Sequence, residues 1–566
     1  MIQHKSVISG VAAFSDCYVA TAGYDNQVIL WDAKTKKAIA LGYHDHLANQ
    51  CQFSQDGRYL VSSSSDYTAR LWRLPDMKLE AVLNAHTDDV EGVAFHPTRE
   101  IIATTSRDHT IRLYDFSGRL LKTLKGHAQD VLSTIWINDE EIVSSSDDGT
   151  IKHWQAFEGK IIEDIDLGGV ETDTIALTKE GSLFAGNDLG EIIHIQGKQT
   201  KTIKAHQAGI KRLCYNARLN RLVSLSYDRS MSLWAIEDEK VKLIKTTQLP
   251  NMVWARSADF SGNSEIVLAT FGSQYAIYNY QKDIWELDHI ISTDSRNAVI
   301  RHQGAIYSVG DAGTVFKNNS PVSQFPSLCN FLVSLNDYLI TGGQTGEIFN
   351  ALTGEVIYQH HSPLNCGVVF YRDDKAYILI GTYTGEGLVL CEEQGQLIFD
   401  QAIILHDNAI KSISASKDLI FSVCATGAVA FYSVKDFSLI RYQENGHDKI
   451  VNGSARLSDN CFVSVSRDLT LRITQLDHQE IIQSPHSHSI KCVAVSHDGN
   501  FIATGGYRGM LWTYDRASAE WIGERLSHAG ISCLYFDEQS ESFLASSYDG
   551  QVYSVPLASI KLKSLT

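Results

Sequence analysis

His, Ser or Thr, and Asp recur together along this chain at a spacing that could assemble the proton relay of a hydrolase. The sets are His44, Ser62 and Asp66; His86, Thr104 and Asp108; His127, Ser144 and Asp148; and His206, Ser224 and Asp228. In a hydrolase such a relay activates a single hydroxyl: the histidine takes its proton and the carboxylate orients the histidine. Here the His-to-Asp separation stays at 21 or 22 residues in all four sets, and each set ends on an aromatic residue, Trp72, Tyr114, Trp154 or Trp234. An enzyme needs one nucleophile, and this chain offers at least four. Repetition therefore assigns these residues to structural tetrads, with no catalytic residue among them.

Other chemistry-bearing residues lead no further. The pairs His44 and His46, His360 and His361, and His486 and His488 invite a metal reading, since imidazole is a common zinc ligand. No Cys or carboxylate cluster joins them at ligand spacing in the sequence, so no metal site is expected. No GxxxxGK[ST] loop occurs, and no GxGxxG lies between a strand and a helix, so no cofactor is expected. The ten cysteines contain no CxxC pair; Cys51, Cys214, Cys492 and Cys533 hold equivalent inward positions and read as reduced core thiols.

The elements that must position the tetrads repeat about every 40 residues. Each good copy shows short strands with period-2 alternation separated by turn residues. In one late copy IKCVAV, NFIATGG, MLWTYD and ASAEWIGERL supply four strands. The turn positions run Asp25, Asp66, Asp108, Asp148, Leu189 and Asp228, then near Ser273, and on through Ala312, Thr345, Thr384, Thr426, Asp468, Arg508 and Asp549. A repeat of this length with a His start and a Trp end is the mark of β-propeller blades. The copies resemble WD repeats: Gly126-His127 matches the family's opening dipeptide and Trp31-Asp32 is a literal WD pair. The resemblance is strong for repeats one to four, six and twelve to fourteen, and weak for five and seven to eleven.

Some 14 blades are too many for one ring. The predicted fold is all-β: two tandem seven-bladed β-propellers of four-stranded antiparallel blades, residues 1–284 and 285–566, the second more degenerate. The seam is expected between Lys282 and Thr293, and SIKLKSLT is expected to finish the last blade as a strand. In Thr345-Gly346, Thr384-Gly385 and Thr426-Gly427 the turn Asp gives way to Thr, so the network should be lost there while Gly preserves the turn. Arg508, in the Asp place, should point outward.

Composition bounds the partners. The chain is 44% hydrophobic and 20% charged, with only 8 prolines, which leaves little for disordered tethers. A net charge of −17 disfavours nucleic acid. No apolar stretch long enough for a membrane span is present, so a cytoplasmic protein with no membrane partner is expected. The resemblance implies that the residue before each turn Asp faces the top surface: Tyr24, Ser65, Arg107, Asp147, Asp188 and Tyr227 in the first ring, and Asp311, Gln344, Tyr383, Ala425, Arg467, Tyr507 and Tyr548 in the second. Tyr and Arg are enriched where proteins bind one another, which selects Arg467, Tyr507 and Tyr548 as the main patch, with Tyr383, Tyr24, Arg107 and Tyr227. The expected function is a non-catalytic scaffold, a monomer within a larger complex, taking protein or peptide partners with a basic or neutral contact patch. The alternatives are an actin- or cytoskeleton-binding double propeller and a propeller enzyme with an acidic channel mouth at Asp147 and Asp188.

Overall fold

A computed structural model describes residues 2–197, 199–237, 240–293 and 295–564. The chain forms antiparallel sheets in sequence order, thirteen of four strands and a last one of three. In every four-stranded sheet consecutive strands pair, so each is a meander. The second strands, such as Ile101–Ser106 and Phe501–Gly506, are buried along their whole length. The fourth strands alternate: Lys160–Asp166, KIIEDID, is exposed at every other residue. Sequence thus sets depth, with β-branched and small residues where both faces are covered and charge where one face meets water.

The chain divides into two compact units, Met1–Ser292 and Thr293–Thr566. In the first, the first strand of each sheet packs against that of the next, and strand Ile8–Phe14 of the first sheet packs against Val253–Ser261 of the seventh. The second unit closes in the same way, strand Arg296–His302 lying against Ile531–Asp537. Clusters span the gaps: Val11, Ile29 and Trp31 share one core with Val267, Tyr275 and Ile277.

Both closures rest on side chains. In the first unit the Val11 amide donates to Ser257 Oγ at 3.1 Å and the Ala13 amide to Asp259 Oδ2 at 2.9 Å. In the second, the Arg301 guanidinium grips the buried Asp537 carboxylate with two bonds of 2.5 Å, and Ser532 Oγ donates to the Arg296 carbonyl. The Arg301 bonds outweigh burial and hold Asp537 below the usual carboxylate range.

Two expectations are corrected. A boundary at 284/285 would cut strand Ile284–Glu286, which pairs with Ala276–Asn279 and stacks Trp285 on Tyr278 at 4.6 Å, so the division lies at 292/293. The C-terminal segment is not a strand but a helix, Leu557–Ser564, leaving the last sheet with three strands. Leu557 and Ile560, spaced three apart, both sink into the core formed with Leu511, Phe543 and Val555, a spacing that a helix can satisfy and a strand cannot. Among the described residues no helix is long and apolar enough to cross a membrane.

One backbone irregularity recurs from sheet to sheet. In most sheets the ladder between first and second strands slips at the second residue of the first strand, as at Ser9, Asp173, Lys211, Asn297, Asn330, Asn365, Lys411, Asn452, Lys491 and Ser532. A bulge frees that side chain from the pleat and re-aims it. Four of the asparagines use the freedom alike. Asn297, Asn330, Asn365 and Asn452 each donate Nδ2 to the first carbonyl of the next sheet, of Cys329, Leu364, Ile410 and Ile490, at 2.7–3.0 Å.

Arg301→Met should leave the Asp537 carboxylate buried and unpaired, costing about 3–5 kcal/mol. Hydrogen exchange should show the loss concentrated in strands Arg296–His302 and Ile531–Asp537. Unchanged protection there would show that the closure does not depend on this pair.

Candidate functional site

The four expected tetrads form hydrogen-bonded chains. His44 Nδ1 meets Asp66 Oδ2 at 3.0 Å, its Nε2 meets Ser62 Oγ at 2.8 Å, and Trp72 Nε1 donates to the same Oγ at 2.8 Å. His127, Asp148, Ser144 and Trp154 repeat this at 2.7–2.9 Å, and His206, Asp228, Ser224 and Trp234 at 2.7–3.2 Å. His86 reaches Asp108 at 2.8 Å and Thr104 at 2.7 Å, but Tyr114 departs from the pattern, its hydroxyl accepting the Ala85 amide. Because the Trp N–H occupies the serine oxygen, the serine proton points to Nε2 and the imidazole carries its own proton on Nδ1, toward Asp. Ser62, Ser144 and Ser224 are completely buried, so no substrate reaches these oxygens.

Each turn Asp gathers further donors. Asp148 takes the Ala128 and Thr150 amides and the Thr150 hydroxyl at 2.7–2.9 Å besides His127. Burial opposes the charge on Asp66, Asp108, Asp148 and Asp228, but His and these donors win and hold all four carboxyls below their ordinary range, Asp228 to about 2. Two sets were missed. His4, Thr21, Asp25 and Trp31 form a full chain at 2.7–2.9 Å in the first sheet, and His447, Ser464 and Asp468 form one in the twelfth. The spacing of His4 to Asp25, 21 residues, is the signal that marks the first of them.

Where the Asp is gone the outcomes differ. Among the described residues the His406 ring keeps Ser422, at 2.9 Å, and the His486 ring Thr504, at 2.9 Å; burial pushes both imidazoles down to about 4. Arg508 is half-exposed and donates to Ser487 Oγ at 3.4 Å. In the ninth sheet Thr345 donates to Glu347, and in the tenth the expected loss of the network is corrected in part: Thr384 donates to Glu386, which reaches His360 Nε2 at 3.1 Å. A carboxylate two residues beyond the turn does part of the missing work. It also stands beside His361, so the expectation that no carboxylate joins that His pair is corrected as well.

The expected partner residues fall into two environments. In the first unit Arg107 is gripped by Glu91 at 2.6 Å and Asp130 at 2.7 Å. Tyr24 meets Trp254 edge-on at 5.5 Å, and Lys211 lies 5.2 Å over the Tyr227 ring. Lys211 is bonded by Asp173 and by Asp188 at 2.5 Å; these carboxylates outweigh burial and raise its pKa. Asp147, by contrast, is pushed up to about 9 by burial and by Asp173 and Asp130.

In the second unit Tyr507 and Tyr548 stack at 6.3 Å with less than a tenth of either exposed. They pack against one another at adjacent turns rather than forming the open patch expected with the half-exposed Arg467. The residue that sequence reasoning overlooked is Lys411, on the bulge of strand Ile410–Ala415. It lies 5.4 Å over the Tyr383 ring, and no carboxylate pairs with it among the described residues. Burial, Lys491 and Arg467 pull its pKa down to about 7. The signal was a polar residue following the first apolar residue of each first strand, as in IKSIS, IKCVA and VNGSA.

Asp148→Ala should cost about 2–4 kcal/mol, because His127 and two amides lose a buried acceptor, whereas Thr426→Ala, at an exposed turn, should cost under about 1 kcal/mol; equal losses on denaturation would refute the tetrad assignment. His406 and His486 stay neutral in the fold down to about pH 4 but take a proton near 6.5 when unfolded. The unfolded state therefore binds more protons between these values, and stability falls as pH drops from about 6.5 to 4, by about 3 kcal/mol per histidine. His406→Gln and His486→Gln should flatten that slope in denaturant titrations; an unchanged slope would contradict the assignment.

Comparison with known proteins agrees with the repeat reading. The family model "WD domain, G-beta repeat" matches residues 1–32, 39–73, 77–115, 118–155, 197–235 and 479–515. A transcriptional corepressor, LEUNIG_HOMOLOG of Arabidopsis thaliana, is 25% identical over 33% of this chain and 24% of its own length. The target of rapamycin complex subunit wat1 of Schizosaccharomyces pombe is 25% identical over 39% of this chain and 74% of its own. WD repeat-containing protein 37 of Xenopus tropicalis is 32% identical over 20% of this chain, and the chain spans about a quarter of that relative's length, 24%. Among solved structures, the WD40 repeats of RRP9 align with a TM-score of 0.43 at 18% identity, covering 48% of this chain and 88% of theirs. The matched segments lie in both units and read as WD40 repeats.

Proposed function

We propose that the two units are seven-bladed propellers and that the chain is a non-catalytic, cytoplasmic scaffold, monomeric within a larger assembly, that holds protein partners. WD-repeat proteins generally serve as interaction scaffolds, and the relatives include a complex subunit and a corepressor. The propeller reading is supported by seven sheets in each unit whose first strands close on themselves.

The observation that carries the partner reading is the contrast between Lys211 and Lys411. They occupy the same bulge position on equivalent strands, and each lies over a tyrosine. Lys211 is neutralised within its unit by Asp173 and Asp188. Lys411 instead faces Lys491 and Arg467, and neither lysine has a carboxylate partner among the described residues. A net charge of −17 suits a basic or neutral partner on average. Locally the second unit favours an acidic segment, laid against Tyr383, Lys411, Arg467 and Lys491. Tyr supplies contact area at low entropic cost and the cations supply orientation. The first unit, where Arg107 and Lys211 are already paired, is the weaker candidate, and Asp188 is engaged by Lys211 rather than free for acid chemistry.

A fluorescent array of acidic and basic peptides of equal length should give selective binding of acidic members, weakening with salt. Lys411→Glu combined with Lys491→Glu should reduce that binding at least about tenfold, or 1.4 kcal/mol, with an unchanged thermal midpoint. Selection of basic peptides only, or equal binding by the doubly substituted chain, would contradict the reading.

A further inference from the structure

The tenth sheet lacks the turn Asp, yet the same two places that a tetrad joins, the loop before the first strand and the turn after the second, are brought together by other residues. His360 and His361 lie in the loop between strands Val356–Gln359 and Leu364–Arg372, and Glu386 begins strand Glu386–Glu393 just past the turn. Glu386 Oε2 is 3.1 Å from His360 Nε2 and 3.9 Å from His361 Nε2. The two rings stand 4.1 Å apart, and one donor atom from each of the three residues lies within 4.8 Å of the others.

We propose that His360, His361 and Glu386 bind a divalent transition-metal ion of the zinc class, clipping the loop to the turn where the Asp tetrad is missing.

Zinc binds imidazole nitrogen and carboxylate oxygen at about 2.0–2.2 Å in a tetrahedron, which sets neighbouring donors about 3.3 Å apart. The His360–Glu386 separation already matches. The His361 separation must close by about half an ångström on the same basis, and its side chain, 71% exposed, is free to turn. Two nitrogens and one oxygen suit zinc, cobalt or nickel better than magnesium or calcium, which prefer all-oxygen shells. A fourth position is left for water. The surroundings also fit a ligand set. Thr384 Oγ1 donates to Glu386 Oε2 at 2.9 Å and steadies the carboxylate. His360 Nδ1 accepts the Ser362 amide at 3.1 Å and lies 3.3 Å from the Ser362 carbonyl. When Nε2 takes the metal, its proton moves to Nδ1 and is donated to that carbonyl, the usual second partner of a metal-bound histidine.

The test is titration of the chelator-stripped full-length chain with Co²⁺, read by visible absorption, and with Zn²⁺, read by calorimetry. One equivalent should bind with a four-coordinate cobalt spectrum, and Zn²⁺ but not Mg²⁺ should raise the thermal midpoint, since an ion bound only by the folded chain stabilises it. His361→Ala, at an exposed position, and Glu386→Gln, which keeps a hydrogen-bonding side chain, should each weaken binding at least tenfold while the apo midpoint of His361→Ala stays unchanged. Absence of saturable binding, or equal affinity of the native and His361→Ala chains, would overturn the proposal.

Discussion

The structure depends on a buried carboxylate held in a turn. The inner strands of such a sheet are covered on both faces by its neighbours, so they cannot gain specificity from one wet and one dry face. Their register is fixed instead by a polar chain running through the sheet, from the loop histidine to the turn Asp on one side and to the second-strand hydroxyl on the other. Such a chain is favourable only when complete, because a buried polar group left without a partner costs more than the net worth of the bond it lost. Asp66, Asp108, Asp148, Asp228 and Asp468 each receive a histidine and a backbone amide two residues on.

That second bond has a consequence for the backbone. The residue between Asp and the amide sits in the left-handed region: Asn26, Tyr67, His109, Arg229 and Leu469 have φ of 62–69°. Side chains other than glycine are disfavoured there by about 1–2 kcal/mol, and the Asp spans the turn and offsets the strain. In six of the sheets whose turn lacks Asp the same place is glycine, Gly190, Gly313, Gly346, Gly385, Gly427 and Gly509, as it also is after Asp148 and Asp549. At Gly385 a Cβ would also stand 2.0 Å from the His406 carbonyl. The degenerate sheets of the second unit thus exchange a polar brace for a permissive residue and for apolar packing, as in the Phe421, Phe431 and Phe462 cluster.

What could be read from sequence depended on which interactions have a fixed spacing. His-to-Asp and Asp-to-Trp distances are set by strand and turn lengths, so the tetrads stood out, and even His4 obeyed the rule that located the others. Side chains governed by an irregular backbone did not stand out. Lys411 and Lys491 owe their placement to a bulge at the second residue of the first strand, which breaks the alternation used to assign faces. Glu386 escaped because it does the work of a turn Asp from two residues away, through a longer side chain. The C-terminal helix escaped because its two buried residues, Leu557 and Ile560, are too few to show a period. Tyr507 and Tyr548 were placed at the right position, but their mutual stacking is a property of neighbouring sheets, not of either repeat.

The most direct test of the central claim is the tautomer of the loop histidines, read by ¹⁵N-resolved NMR on histidine-labelled protein at neutral pH. His4, His44, His127 and His206 should carry their proton on Nδ1, donated to the turn Asp, with Nε2 accepting from the second-strand hydroxyl. Four slowly exchanging Nδ1 protons that disappear one by one in the corresponding Asp→Ala chains would be the predicted result. Histidines at these positions in the Nε2–H form, or unaffected by removal of the Asp, would contradict it.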